Sequence, residues 1–163
     1  MNAGEHKNLN VLVADDNHSD VFIISRGLTE FDAKCAVFDV QDGESLLAAL
    51  GIDAISGRPI APDPFIPRPD LILIDLYMPK MYGLQALKLI KRDRRFQHIP
   101  CVLMSHSLSE YDRRQAETTG AAGILHKTSN VSEFRASVRA IESALHLKPG
   151  QGHFYPEETH TLR

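Results

Sequence analysis

The sequence predicts an α/β fold with a five-stranded parallel sheet and helices on both faces of the sheet. Short apolar runs alternate with helical patterns along the 163 residues, and such alternation is typical of strand–helix repeats. The apolar runs are nearly continuous, as in strands that are buried on both faces. Because crossovers between parallel strands are right-handed almost without exception, this order predicts an open, doubly wound sheet.

The first half of the chain contains two strand–helix repeats. Residues 9–14 form an apolar run that ends at two aspartates, which predicts the first strand. Residues 17–31 have apolar side chains at three- and four-residue spacing and predict the first helix. Residues 33–40 predict the second strand, and a short second helix begins at Asp42 and Gly43. The apolar positions of the two helices are Val21, Ile24, Leu28 and Phe31, and Leu46, Leu47 and Leu50.

Residues 51–69 interrupt this rhythm. Proline removes a backbone donor and restricts φ, so no regular element is expected across a proline-rich stretch. We expect a surface loop inserted in one domain; an interdomain linker is the alternative, although neither flanking part looks complete alone. The prolines are Pro59, Pro62, Pro64, Pro67 and Pro69.

The second half contains three more repeats. Strands are predicted at 71–74, 99–104 and 122–126, and helices at 83–94 and 108–119. Ser129 or Asn130 can cap a last helix, whose apolar positions are Val131, Phe134, Val138, Ile141 and Leu145.

Length and composition bound the domain count and the class of protein. One domain is expected over residues 9–147, between an N-terminal arm, 1–8, and a C-terminal tail, 148–163. A net charge of -3 disfavours a general nucleic-acid-binding surface, and no apolar run is long enough to span a membrane. Without a signal-peptide pattern, a cytosolic location is expected, with Cys35 and Cys101 as buried free thiols.

Five polar residues follow the predicted strands. Asp15 and Asp16 follow the first strand, Asp75 the third, Ser105 the fourth and Lys127 the fifth. Each has an ordinary explanation as a helix cap, a turn residue or a solvated charge. Parallel topology nevertheless brings them to one edge of the sheet, where three carboxylates repel each other unless a cation lies among them.

Hard oxygen ligands of this kind favour Mg²⁺, and the lack of His and Cys ligand spacing disfavours zinc. We expect Asp16 and Asp75 to bind the ion directly and Asp15 to act through water. An ionised carboxylate can attack a phosphoryl group, while the metal and Lys127 neutralise the transferring charge. Ser105 is expected to donate a hydrogen bond to a phosphoryl oxygen.

At this point the sequence resembles the receiver-domain family of two-component signalling. The matching segments are VLVADD at 11–16, LIDLYMP at 73–79 with Gly83, VLMS at 102–105, and Lys127. They are specific together and weak singly. The stretch RPDLILIDLYMPKMYG at 68–83, the proline-containing loop before it and HKTSN at 126–130 resemble the single-domain regulators that partner phytochrome-type histidine kinases.

The resemblance implies a flavodoxin-like fold and a stand-alone response regulator rather than an enzyme. Asp75 is then the phosphoacceptor for a sensor histidine kinase, with Ser105 and Lys127 as its catalytic partners. The backbone carbonyl of Tyr77 completes the metal shell. Phosphorylation draws Ser105 inward and rearranges the surface of the fourth helix, fifth strand and fifth helix, which binds a partner or a second copy.

Five positions modulate this expectation. Thr128 stands where most receivers have proline, and Ile124 stands where most have the switch aromatic, so a rotating Tyr or Phe cannot relay the signal. His106 replaces a small residue and should narrow access to the phosphoryl group. Tyr77 and Ser107 flank the path of a hydrolytic water, and we hypothesise slow autodephosphorylation.

Three other functions remain open from the sequence. A receiver-like interaction module could work without phosphorylation. A metal-dependent phosphatase with an Asp nucleophile needs a second carboxylate where Tyr77 stands. A flavodoxin-like cofactor binder would place phosphate beside Asp15 and Asp16, which repel it without a metal.

Two surface features carry weaker expectations. Ala136, Ala140 and Ala144 form a small-residue stripe on the last helix; helix propensity explains it, and a homodimer contact is the alternative. A solvated basic face is predicted near the end of the third helix, formed by Lys88, Lys91, Arg92, Arg94 and Arg95.

Overall fold

A computed structural model describes residues 8–31 and 34–146, without the side chains of Phe31, Arg139, Ala140 and residues 142–146. Strands and helices alternate throughout, which confirms the predicted α/β class. The strands are β1 (Leu9–Ala14), β2 (Cys35–Val40), β3 (Leu71–Asp75), β4 (Cys101–Ser105) and β5 (Gly123–His126), and the helices are α1 (His18–Phe31), α2 (Gly43–Leu50), α3 (Gly83–Arg92), α4 (Glu110–Thr119) and α5 (Val131–His146).

The five strands form one parallel sheet in the order β2-β1-β3-β4-β5. β2 lies on one side of β1 and β3 lies on the other. The loops that leave the carboxyl ends of β1 and β3 therefore run to opposite faces of the sheet, toward α1 and α3. A crevice at such a switch point is where open α/β sheets place their sites. The topology therefore puts the aspartates that end β1 and β3 side by side.

Alternate side chains of the strands pack on opposite faces of the sheet. Val11 and Val13 belong to one core cluster, together with residues of α1 and α5. Leu12 and Ala14 belong to the other, together with residues of α2, α3 and α4. Both faces are buried, which explains the nearly continuous apolar runs of the strands.

The long connection between α2 and β3 has no helix or strand of its own. An isolated antiparallel bridge joins Ile52 to Pro59. Gly51 ends α2 with a φ of 72°, and a Cβ there would lie 2.6 Å from the Ile60 carbonyl oxygen. Since the same sheet contains strands from before and after this connection, it is a loop within one sheet and not a linker between two.

Several helices and strands are shorter than the sequence predicts. β4 begins at Cys101 rather than at residue 99, because Pro100 has no N–H to donate to a neighbouring strand. α3 ends at Arg92, where the chain turns and the Asp93 carboxylate accepts hydrogen bonds from Arg95.

The predicted basic face is solvated only in part. Lys88, Arg92 and Arg94 are exposed. Lys91 instead donates hydrogen bonds to the carbonyls of Gln97 and Ile99. Arg95 pairs with Asp93 and reaches the Gly51 carbonyl; these two cations brace loops, so the prediction was wrong for them.

Some expectations fall outside the described residues. They concern the N-terminal arm over residues 1–7, the tail 148–163, and the side chains of Ala140, Ala144 and Leu145. Ala136 is exposed. Within the described part of the chain, no helix is long and apolar enough to cross a membrane.

Candidate functional site

The predicted polar residues meet at the carboxyl edge of the sheet. Asp75 is the last residue of the central strand β3 and pairs in register with Met104 of β4. Asp15 follows β1, and its backbone N–H donates to the Val40 carbonyl at 3.0 Å. Asp15 and Asp75 are 1% and 5% exposed, so two carboxylates are buried side by side.

Three carboxylates form an acidic cluster at this edge. Asp15, Asp16 and Asp75 each offer an oxygen within 4.8 Å of the others. Asp16 is exposed to solvent. Asp15 Oδ2 is buried, and its partner among the described residues is the Lys127 ammonium, 2.7 Å away. Three carboxylates beside one ammonium leave excess negative charge, which suits a hard divalent cation such as Mg²⁺, so these residues fit the ion that the sequence predicts.

Burial governs the ionisation of Asp15. Removal from water raises the pKa of its carboxyl above the usual value, and Lys127 and the Asn17 backbone N–H only partly offset this. The nearby Asp75 carboxylate acts in the same direction as burial. A bound cation would relieve this unfavourable charge.

Lys127 supplies the positive charge of the site. Its ammonium nitrogen lies 2.7 Å from Asp15 Oδ2 and 3.0 Å from Asp75 Oδ2. Burial acts to lower the pKa of Lys127, but the carboxylates outweigh burial and raise the pKa above its ordinary value. Lys127 is therefore a permanent cation at the candidate phosphoacceptor.

Backbone approach at Asp75 explains why a glycine begins α3. A Cβ on Gly83 would lie 2.3 Å from the Asp75 carbonyl oxygen and 3.1 Å from Ile74 Cγ2. The Gly83 N–H also donates to the Leu76 carbonyl at 2.9 Å. The start of α3 is thus packed directly on the strand that carries Asp75.

The loop after β4 holds the candidate hydroxyl. Ser105 Oγ donates to the Ser107 carbonyl at 2.8 Å and accepts from the Ser107 N–H at 3.1 Å. A hydroxyl has one hydrogen to donate, so Ser105 would give up the Ser107 carbonyl in order to donate to a group on Asp75. Between these two serines, His106 turns toward α1, with its Nε2 2.9 Å from Asp20 Oδ2.

Tyr77 and Ile124 occupy their predicted places with different surroundings. Tyr77 is 56% exposed, and its backbone N–H donates to Asp75 Oδ1 at 3.3 Å. Ile124 is fully buried in the core on the α2–α3–α4 side of the sheet. It is a branched aliphatic group in the core, so it offers no aromatic ring to rotate behind Ser105.

Asp20 and Asp112 contact the site and were missed from the sequence. Asp20 is 7% exposed and accepts a hydrogen bond from Lys127 at 3.0 Å. It lies four residues before Ile24 on the buried face of α1, and a carboxylate in an apolar stripe was the signal that could have revealed it. Asp112 accepts a hydrogen bond from the Tyr77 hydroxyl, for which the sequence holds no comparable signal.

Comparison with known proteins gives a consistent result. The family model for the response regulator receiver domain matches residues 11–139. The two-component response regulator ARR6 of Arabidopsis thaliana is 33% identical over 82% of this chain and 71% of its own length. Among solved structures, the phosphorylated cyanobacterial phytochrome response regulator RcpA is 28% identical with a TM-score of 0.70, over 83% of this chain and 92% of that one.

A second solved structure bears on the acidic cluster. The Mn²⁺-bound form of response regulator Rcp1 is 26% identical, with a TM-score of 0.68, and covers 83% of this chain and 92% of that one. RcpA and Rcp1 therefore share the overall fold of this chain. The second holds a divalent cation of the class that the cluster of Asp15, Asp16 and Asp75 would suit.

Proposed function

This chain belongs to the response regulator receiver family, and from that premise we propose that it accepts a phosphoryl group on Asp75 from a sensor histidine kinase. Receiver domains are signalling modules that interact with such kinases. One observation carries the proposal: the buried Asp75 carboxylate lies 3.0 Å from the Lys127 ammonium and beside two further carboxylates.

The proposed reaction transfers one phosphoryl group. A carboxylate oxygen of Asp75 forms a bond to phosphorus, and the bond from phosphorus to the imidazole nitrogen of the kinase histidine breaks. The electron pair stays on that nitrogen, which then takes a proton from solvent. The product is an acyl phosphate on Asp75, and Lys127 donates hydrogen bonds to its oxygens.

Asp15, Asp16, Asp75 and the Tyr77 carbonyl would hold a Mg²⁺ ion. When bound, the ion neutralises charge on the phosphoryl oxygens. Burial raises the pKa of Asp15, so a cation at this position also favours the ionised form of the cluster.

Ser105 is proposed to report the acyl phosphate. Its hydroxyl exchanges the Ser107 carbonyl, 2.8 Å away, for a phosphoryl oxygen. That exchange opens the small turn after β4 and moves Ser107, and with it the start of α4. Because Ile124 offers no rotating ring, this loop movement carries the signal to the α4–β5–α5 surface.

The output is proposed to run through protein–protein contacts. The resemblance to regulators of phytochrome-type kinases, and the similarity to RcpA at 28% identity, support a kinase of that type. A homodimer through α5 is a further proposal, which rests on the exposed Ala136.

The test is Mg²⁺-dependent phosphorylation with acetyl phosphate, followed by intact-protein mass spectrometry. We expect one phosphoryl adduct on the wild type and none on Asp75→Asn. Asp39→Asn is the matched control, because Asp39 is an exposed aspartate on β2 that is not a member of the cluster, and it should be modified like the wild type. Absence of any adduct from acetyl phosphate and from histidine kinases would favour an interaction module that works without phosphorylation.

A further inference from the structure

Asp20 is a buried carboxylate that the proposed phosphoryl transfer does not use. It lies in the first turn of α1 and is 7% exposed. Its Oδ2 accepts a hydrogen bond from Lys127 Nζ at 3.0 Å and lies 2.9 Å from His106 Nε2. A buried carboxylate is costly unless its charge is compensated, so its position calls for a function.

Lys127 is surrounded by three carboxylates of two different kinds. Asp15 and Asp75, at 2.7 Å and 3.0 Å, belong to the acidic cluster that would hold the cation. Asp20, also at 3.0 Å, lies outside that cluster. Asp15 and Asp75 would therefore share their oxygens between the ammonium and a cation, whereas Asp20 faces the ammonium from outside the cluster.

This difference matters when a cation and a phosphoryl group occupy the site. A cation held by the cluster, and a phosphoryl group on Asp75, would compete for the carboxylate oxygens that now face Lys127. A lysine ammonium is a point charge on a flexible four-carbon stem, and a cation that took those oxygens before phosphoryl transfer would weaken its anchoring in the cluster. Asp20 lies outside the cluster, so its hydrogen bond with Lys127 would not compete with either ligand.

The surroundings of Lys127 leave few alternative anchors. Its side chain is 5% exposed. The cavity beside it is lined mainly by apolar side chains, including Ile24, Leu125 and Phe134. His126 and Thr128 also line this cavity, but Asp20 is the carboxylate among its lining residues, and it faces the ammonium from α1.

We propose that Asp20 is a positioning residue that holds the Lys127 ammonium in place for phosphoryl transfer to Asp75, with His106 fixing the Asp20 carboxylate from the β4–α4 loop. The inference rests on the proposed function. It gives a residue of α1 a part in the chemistry of Asp75 and Lys127. It also gives His106 a second role besides narrowing access to the phosphoryl group.

The ionised state of the Asp20 carboxyl supports this assignment. Burial opposes its ionisation, but hydrogen bonds from Lys127 and His106 outweigh burial and keep the pKa of the carboxyl below its usual value. An ionised Asp20 thus balances Lys127 from outside the cluster.

The experiment compares Asp20→Ala, Asp20→Asn, Lys127→Ala and the control Asp39→Asn. The rate of adduct formation is measured with acetyl phosphate at fixed Mg²⁺, and Mn²⁺ affinity is measured separately by electron paramagnetic resonance. Misplacing a reacting group can cost up to roughly a hundredfold in rate, and we expect Asp20→Ala to be at least about tenfold slower than the wild type. Its Mn²⁺ affinity should stay within about twofold, since Asp20 is not a ligand of the cluster.

Asp20→Asn provides the rescue that a merely structural role would not show. Its amide oxygen can still accept from Lys127 Nζ, so it should recover a large part of the lost rate. Wild-type rates in Asp20→Ala, beside an inactive Lys127→Ala, would overturn the inference and leave the proposed function standing. An equal loss in Asp39→Asn or a parallel loss of Mn²⁺ affinity would also overturn it. A wild type that forms no adduct would remove the proposed function and the inference with it.

Discussion

The Tyr77 hydroxyl donates a hydrogen bond to Asp112 Oδ1 at 3.2 Å. Tyr77 stands two residues after the candidate phosphoacceptor, and Asp112 lies in the first turn of α4. The same carboxylate accepts from the backbone N–H and hydroxyl of Ser109, the N-cap of α4. The Asp112 side chain therefore joins the loop after β3, through Tyr77, to the N-cap of α4, through Ser109.

Tyr77→Phe and Tyr77→Ala separate this hydrogen bond from the bulk of the ring. The Phe variant loses the bond to Asp112, and its free energy of unfolding should fall by about 0.5–1.5 kcal/mol in denaturant titrations. It keeps the aromatic ring, so its acyl phosphate should persist like that of the wild type. The Ala variant opens a path for water and should dephosphorylate several-fold faster in a mass-spectrometric time course. Equal lifetimes in the wild type and the Ala variant would refute shielding by the ring.

The Asp42 carboxylate makes stability depend on pH at the start of α2. Burial opposes its ionisation, but the Ser45 N–H at 2.7 Å and the Lys80 ammonium at 3.0 Å lower its pKa below the usual 3.8. A lowered folded-state pKa stabilises the protein above the unfolded value and loses that effect as pH falls through the folded value. Asp42→Asn keeps a cap acceptor without the charge.

The wild type should therefore have a higher free energy of unfolding than Asp42→Asn at pH 6. The two values should converge as pH falls through the folded-state pKa of Asp42, which lies below 3.8. Chemical denaturation at several pH values measures this difference. Asp39→Asn, exposed on β2, controls for general loss of negative charge. A difference that grows as pH falls below 3.8 would contradict the sign of the shift.

Much of the site follows from the sequence because the relevant rule is topological. Each strand is a run of apolar residues, and the residue that ends it must lie at the carboxyl edge of a parallel sheet. Asp15, Asp75 and Lys127 could thus be brought together without knowledge of any side-chain conformation. The prediction that the two cysteines are buried was confirmed, because Cys35 and Cys101 lie within strands of the sheet.

Contacts between distant side chains could not be predicted in this way. Lys127 meets Asp20 across 107 positions, and Tyr77 meets Asp112 across 35. Such pairs depend on side-chain rotamers and on loop paths, which have no periodicity in the sequence. Arg95 shows the same limit, because its bond to the Gly51 carbonyl exists only once the proline-rich loop has folded beside α3.

Gly83 should be the least tolerant small residue of the site. An alanine Cβ would lie 2.3 Å from the Asp75 carbonyl oxygen, so either α3 or the end of β3 must move. Overpacking of this kind costs about 1–3 kcal/mol, and Gly83→Ala should lose that amount in denaturant unfolding. Lys88→Ala, on the exposed side of the same helix, controls for helix propensity and should be nearly neutral. An unchanged stability of Gly83→Ala would show that the α3–β3 contact is looser than described.

Replacement of Asp16 should change stability in opposite directions without and with a divalent cation, and this difference tests the acidic cluster. Asp16 is the exposed member of the cluster. In the absence of a cation, Asp16→Asn removes repulsion between carboxylates, so this variant should be at least as stable as the wild type. A ligand that binds only the folded state stabilises it by about 1.4 kcal/mol at ten times its Kd. Mg²⁺ at that concentration should therefore raise the wild-type melting temperature by about 3–6 °C.

The Asp16→Asn variant should show little of this rise, because one carboxylate ligand is gone. Differential scanning calorimetry with and without Mg²⁺ measures both effects, and Asp39→Asn should respond like the wild type. A Mg²⁺ shift of equal size in Asp16→Asn would place the cation elsewhere. Lower stability of the variant without Mg²⁺ would instead mean that Asp16 is held by attractive contacts, and repulsion within the cluster would then not be what the ion relieves.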